Sequence, residues 1–346
     1  MRAIAVVPKA RELRVLDLPE PAIETPTGVR LRMIEVGVCG TDREIDEGEF
    51  GVAPEDRDTL VLGHEMLGVV GEDGHGFSRG DLVSATVRRS CGHCLACAEG
   101  APDSCLTGDY VERGITRLDG FAREQVREDP SQLIPIPRSL RTLGVLGEPT
   151  SICARGLRHV LAIGGRQPWA PQRALVTGAG AVGVLTTMLL RLEGFDVWTA
   201  SLEPKNEIVD ALGAHYVQSE DGRLRDLGAF DVVVEAAGNA QLMADALGLL
   251  GRSGVACLLG IDGRDQTVHI PGRVIGVDTV LENRVLVGSV NAERRDWLAG
   301  VEALDRARQR WPGALEQLIG LRVPLDRFAD AFAFRGGKAA LVLSDA

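Results

Sequence analysis

Aromatic residues are scarce in this sequence: 2 Tyr, 4 Trp and 8 Phe among 346 residues, or 4%. That scarcity argues against the stacking platforms on which single-stranded nucleic acids lie. There is no cationic surplus either. Lys and Arg number 38 against 49 Asp and Glu, a net charge of −11, and contiguous basic residues go no further than the pairs Arg88–Arg89 and Arg294–Arg295. Binding a nucleic acid or an anionic membrane surface takes a basic patch, so neither partner is expected. No apolar stretch approaches the roughly 20 residues that cross a bilayer. The opening MRAIAVVPKARELRVLDLPEP has a strand pattern broken by Pro8 and no signal-peptide apolar region. A soluble, cytoplasmic protein is expected.

What is present fits a globular protein. Apolar residues make up 45% and charged residues 25%, and the length is too great for one core but suits two domains. The first half reads as short strands punctuated by Gly: RAIAVV, VRLRMIEVGVCG, LVLGHEMLGVVGEDG and GDLVSATV. A helical segment around Thr142–Leu161 follows the Pro-rich stretch Pro130–Pro137. From Arg173 onward apolar strands alternate with helices, the pattern of a parallel sheet covered on both faces. The C-terminal stretch reads as a helix followed by a strand.

Three motifs carry chemistry. Four of the seven cysteines fall at Cys91, Cys94, Cys97 and Cys105. In a long acidic chain this clustering points to metal rather than disulfides. Thiolates at i, i+3 and i+6, with a fourth one short loop later, can close a tetrahedron around Zn²⁺, although an iron–sulfur cluster uses the same ligands. His93 lies inside that loop and reads as a solvated residue. Second, Gly178-Ala-Gly180-Ala181-Val182-Gly183 follows the strand ALVT and opens a helix, the context that makes a glycine pattern a dinucleotide fingerprint. Gly178 makes the turn, Gly180 admits the pyrophosphate and Gly183 permits close packing, while the helix N-terminus faces the phosphates. At the end of the next strand stands Ser201 instead of an acid. That leans slightly toward NADP over NAD, with Lys205 as the nearby cation and Glu203 as an alternative partner for the ribose. Third, Cys39, His64 and Glu148 each follow a short element, and one thiolate, one imidazole and one carboxylate can make an open Zn²⁺ site.

Together, in this order, the three motifs resemble the zinc-containing medium-chain dehydrogenase/reductase superfamily, end to end. The closer resemblance is to archaeal-type glucose dehydrogenases. It is carried by Val-Cys39-Gly-Thr41-Asp42, Leu-Gly63-His64-Glu65, Tyr110-Val-Glu112-Arg113-Gly114, Gly120-Phe121, Gly147-Glu148-Pro149 and Val287-Gly288-Ser-Val290-Asn291. The resemblance implies an α/β chain with a GroES-like catalytic domain over 1–155, a Rossmann domain over 156–294 and a return to the catalytic domain over 295–346. It further implies two zinc ions, one structural and one catalytic, the latter held by Cys39, His64 and Glu148. Glu65 resembles a residue that backs these ligands or exchanges with one of them. Thr41 would relay the proton, and Glu112, Glu148 and Asn291 would grip sugar hydroxyls or the nicotinamide. Two departures stand out. Ile152 replaces an acid that some relatives carry, and the Arg pair that holds a 2′-phosphate is absent after Thr199-Ala200-Ser201.

The expected reaction is oxidation of an aldose at C1 to a lactone, with NAD(P) taking the hydride. A polyol or other secondary alcohol is the alternative substrate, and a non-catalytic dinucleotide sensor the remote one. Carboxylates suit a polyol, because a short apolar alcohol would leave Glu112 buried and unpaired at a cost on the order of several kcal/mol. A homodimer or homotetramer is expected by analogy. His75, His159, His215 and His269 read as loop or packing residues, and Cys153 and Cys257 as small core residues.

Overall fold

The computed structural model describes residues 1–8, 10–19, 28–219 and 223–344. The chain divides into two units. The first comprises Met1–Glu148, Asn291–Val301 and Ile319–Ala346, and the second Pro149–Val290 and Glu302–Leu318.

In the first unit, alternation of Leu, Met, Ile and Val with polar residues drives the long strand Val29–Val38, which carries the main sheet. It pairs antiparallel with Glu65–Val70, Gln125–Glu128 and Ala339–Val342. Leu82–Ala85 and Leu133–Pro135 extend one side, and Leu321–Pro324 pairs parallel to Ala339–Val342 on the other. A smaller sheet orders Glu12–Asp17, Arg2–Val7 and Leu60–Val61. Ile4, Leu31, Met33, Leu62, Met66 and Phe121, all essentially inaccessible, anchor the core under these sheets. The last strand, more than 300 residues from Val29–Val38, is therefore part of the same sheet and core.

The second unit holds a six-stranded sheet in which every recorded pairing is parallel. Its order runs His215–Gln218, Asp196–Ser201, Arg173–Thr177, Phe230–Glu235, Leu250–Leu258, Val285–Gly288. The order reverses at Arg173–Thr177. In such doubly wound sheets ligands bind beyond the strand C-termini at this reversal. The helix Ala181–Leu192, rich in Leu, Val and Thr and buried along most of its length, packs against the central strands. Leu175, Phe230, Val233, Leu247 and Ala256 fill the layer on the other side of the sheet. Among the described residues no helix is long and apolar enough to cross a membrane.

Candidate active site and metal centres

Cys39 stands between the strand Val29–Val38 and the helix Gly40–Asp46, in extended conformation as the helix N-cap. Asp42, three residues on and 1% exposed, organises the turn. Its Oδ2 accepts from the Cys39 amide at 2.9 Å, and its Oδ1 accepts from the Gly63 amide at 3.3 Å. One carboxylate thus fixes the backbones that carry Cys39 and His64. Sγ of Cys39 lies 3.0 Å from Nε2 of His64. Glu65, opposite Gly37 in the sheet, completes a group whose ligand atoms all lie within 4.8 Å of one another.

The three groups are buried enough to need compensation. Lys338 Nζ donates to Glu65 Oε1 at 2.5 Å, while Glu65 Oε2 and His64 Nδ1 are buried without a hydrogen-bond partner. Burial pushes the Cys39 thiol up, opposed by His64. Burial works against a charged His64, but Cys39 and Asp42 carry it well above its ordinary value. A soft sulfur, an imidazole and a carboxylate with an orphaned oxygen are the donor set of Zn²⁺. Glu148, 7% exposed, stands outside the compact group. Burial lifts its carboxyl to about 7, with His64 lowering it and Glu65 raising it. Thr41 is half-buried in the first turn of the helix.

Around the second group, Sγ separations are 3.4 Å for Cys94–Cys97, 3.6 Å for Cys91–Cys105 and 3.8 Å for Cys91–Cys97. A tetrahedron with Zn–S bonds of about 2.3 Å has edges of about 3.8 Å. All four sulfurs lie within 4.8 Å of one another, which leaves room for a single ion and none for a multinuclear cluster. The residues fit a closed zinc site.

In the second unit the glycine turn has the shape its sequence implies. Gly178 has φ +100°, and a Cβ there would lie within 3 Å of the Ala236–Ala237 backbone. A Cβ on Gly183 would stand 1.9 Å from the Gly178 carbonyl oxygen. At Gly180, by contrast, a Cβ would meet nothing within 4 Å, and no side chain caps the helix Ala181–Leu192. Free helix N–H groups beside open space fit a dinucleotide pyrophosphate. At the end of Asp196–Ser201, the Ser201 hydroxyl donates to Glu203, and Lys205 is engaged by Glu207. The hydrogen bond from Ser201 holds Glu203 below the usual carboxylate range.

Glu112 does not conform to the expectation of a carboxylate that only substrate can pair. Arg88 Nη2 lies 2.9 Å from Glu112 Oε1, and Asn291 Nδ2 donates to the same oxygen at 3.2 Å. An apolar alcohol would leave Glu112 paired, so the desolvation argument for a sugar does not hold in that form. What does hold is that Glu112 and Asn291, 179 residues apart in sequence, touch.

The chain matches the alcohol dehydrogenase GroES-like domain over residues 25–138 and the glucose dehydrogenase C-terminus over residues 141–343. It belongs to the glucose dehydrogenase branch of the zinc-containing medium-chain dehydrogenase family. The glucose 1-dehydrogenase of Methanocella arvoryzae is 40% identical over 339 residues, 94% of each chain. Glucose 1-dehydrogenase 1 of Caldivirga maquilingensis is 40% identical over 345 residues, 96% of each. The Haloferax mediterranei glucose dehydrogenase, solved in complex with NADP, Zn and gluconolactone, matches with a TM-score of 0.92 at 31% identity over 100% of both chains.

Within this dehydrogenase, sequence reasoning missed two residues that shape the metal group. Asp42 was readable in principle, because a carboxylate three residues after an N-cap is the second half of a capping box. Lys338 carries no local signal. It reaches Glu65 because Ala339 pairs with Val38 while Gly37 pairs with Glu65. Of the other histidines and cysteines, His215 stacks on Trp198 and bonds Asp196, and Cys153 and Cys257 are buried.

Proposed function

We propose that this dehydrogenase oxidises the C1 hydroxyl of a glucose-like aldose to a lactone, with NADP or NAD as hydride acceptor. The observation that carries this reading is that the Cys39, His64 and Glu65 group and the Glu112–Asn291 pair belong to one unit. A donor set for a Lewis acid and a pair of groups that can hold sugar hydroxyls thus share a single framework. The relatives named above are glucose dehydrogenases, which supports the substrate class.

Cys39, His64 and Glu65 would hold the catalytic zinc, with Glu148, expected as the third ligand, exchanging for Glu65. Zinc, when bound, polarises the hydroxyl oxygen, and the nicotinamide supplies the hydride acceptor. Thr41 takes the hydroxyl proton toward solvent. Glu112 accepts from sugar hydroxyls and Asn291 orients the opposite side, as does Glu148 where it is not ligating. Gly178, Gly180, Ala181, Val182 and Gly183 cradle the pyrophosphate, and Ser201 and Lys205 face the ribose. Met1–Glu148, Asn291–Val301 and Ile319–Ala346 serve catalysis, and Pro149–Val290 with Glu302–Leu318 the nucleotide.

The working form is a cytoplasmic homodimer or homotetramer. The edge strand Val285–Gly288, which carries exposed Leu286 and follows exposed Val280 and Leu281, supports self-association. Initial rates with glucose, galactose, xylose and sorbitol against both cofactors test the reaction. Faster oxidation of sorbitol than of every aldose would transfer the assignment to a polyol dehydrogenase. No turnover together with nucleotide binding would leave a sensor.

A further inference from the structure

Arg88 stands opposite Glu112 where the short strands Arg88–Arg89 and Val111–Arg113 pair. Its guanidinium is held on three sides. Nε and Nη2 address Glu112 Oε1 at 3.0 and 2.9 Å. Nη1 donates to the carbonyl of Asp103, two residues before the metal-binding Cys105. The cation also lies 3.8 Å over the centre of the Tyr110 ring. The Arg88 and Glu112 side chains are only 10% and 15% exposed.

Because Asn291 Nδ2 also donates to Oε1, three N–H groups converge on one oxygen of the carboxylate. A carboxylate oxygen has about two acceptor sites, so Oε1 is saturated. Oε2 has no partner among the described residues. A substrate hydroxyl has one place to donate. We propose that Arg88 is a positioning residue that fixes the rotation of Glu112 so that Oε2 alone meets the sugar, and so sets which hydroxyl is read. The fork matters more than the charge, because Nε and Nη2 both reach Oε1 and, together with Asn291, pin that oxygen from two directions, where a lysine would offer one movable donor. The stacked ring and the Asp103 carbonyl lock the fork in turn. This deepens the sugar reading above and rests on it.

The test is Arg88→Gln and Arg88→Lys in the full-length, metal-loaded enzyme, with glucose and its monodeoxy analogues. Removing hydrogen bonds to a charged group should raise the glucose KM of Arg88→Gln roughly 10- to 100-fold. We expect kcat to stay within about threefold, and NADP affinity and metal content to be unchanged. In the wild type one deoxy analogue should lose roughly tenfold or more in kcat/KM relative to glucose, the usual penalty for an unpaired polar site. In Arg88→Gln that discrimination should fall below about threefold, and Arg88→Lys should recover only part of it. A merely structural role would lower kcat, metal content and cofactor binding together and leave the deoxy discrimination intact. Should either variant fail to fold, Tyr110→Leu removes the ring beneath the cation and should raise KM in the same direction. Unaltered KM and unaltered deoxy discrimination in the folded variants would overturn the role of Arg88. Absence of aldose turnover in the wild type would sink the sugar reading instead, so the two failures are distinguishable.

Discussion

Lys338→Met tests whether the carboxylate behind the metal group is held by a genuine charge pair. Lys338 and Glu65 have side chains 5% and 2% exposed, with Nζ 2.5 Å from Oε1. Glu65 Oε2 has no partner, so removing the ammonium leaves a buried carboxylate with nothing on either oxygen. Breaking a buried pair in this way typically costs about 3–5 kcal/mol. For a cooperative unit of 150–250 residues, each kcal/mol shifts the melting temperature by roughly 2–4 °C. The metal-free protein should therefore melt about 6–20 °C lower in Lys338→Met than in the wild type. Zinc beside Glu65 replaces the missing charge, so the difference should shrink by half or more in the loaded protein. The double variant Lys338→Met/Glu65→Gln should recover most of the metal-free loss, because neither a charge nor its partner remains buried. Differential scanning calorimetry on stripped and reloaded samples reads all three. A metal-free Lys338→Met melting within 2 °C of wild type, or a double variant no better than the single, would refute the reasoning.

Other predictions follow from the remaining sites. His64→Ala should fall below a tenth of wild-type kcat, a barrier increase of more than about 1.4 kcal/mol, while dinucleotide affinity measured by fluorescence stays within about threefold. Cys105→Ser should lose one of two zinc ions by elemental analysis and lower the melting temperature. It should also raise the sugar KM, since Asp103, two residues away, anchors Arg88. Ser201→Asp should shift kcat/KM toward NAD by roughly one to two orders of magnitude through repulsion of a 2′-phosphate and a new ribose hydrogen bond. An unchanged cofactor ratio would show that Ser201 does not face the ribose.

Local sequence carried much of this architecture. The run Cys91–Cys105 is compact in sequence, and its sulfurs gather into one group. The glycine turn is likewise local, since every atom that forbids a side chain at Gly183 belongs to Gly178. Alternation located Val29–Val38, and apolar runs located the parallel strands from Arg173 on, because those are buried almost continuously. Contacts set by sheet register escaped. Lys338 meets Glu65 across 273 residues and Asn291 meets Glu112 across 179, and no periodicity encodes either. Arg88 was read only as half of a basic pair, because nothing in Arg-Arg announces that one guanidinium turns inward to Glu112. In the ribose turn the composition is visible but the pairing is not. Lys205, the cation read as a phosphate partner, is engaged by Glu207, and Ser201 is occupied by Glu203.

The same register that hid Lys338 makes the metal group depend on the C-terminal strand of the sheet. Ala339–Val342 inserts between Val29–Val38 and Leu321–Pro324, and Lys338 immediately precedes it. Until that strand docks, Glu65 has no cation, and a buried carboxylate beside the Cys39 thiol and His64 is opposed by desolvation. Asp42 can already be in place, because its bonds to Cys39 and Gly63 span only 3 and 21 residues. The geometry of the first two ligands is therefore determined by short-range contacts, whereas the electrostatics of the carboxylate waits on closure of a loop of about 270 residues. Long closures are the slow steps of folding, since their entropy is lost before their contacts form. A divalent cation that binds Cys39 and His64 early would compensate Glu65 during that interval. Zinc would then act on assembly of the unit as well as on the chemistry of the hydroxyl.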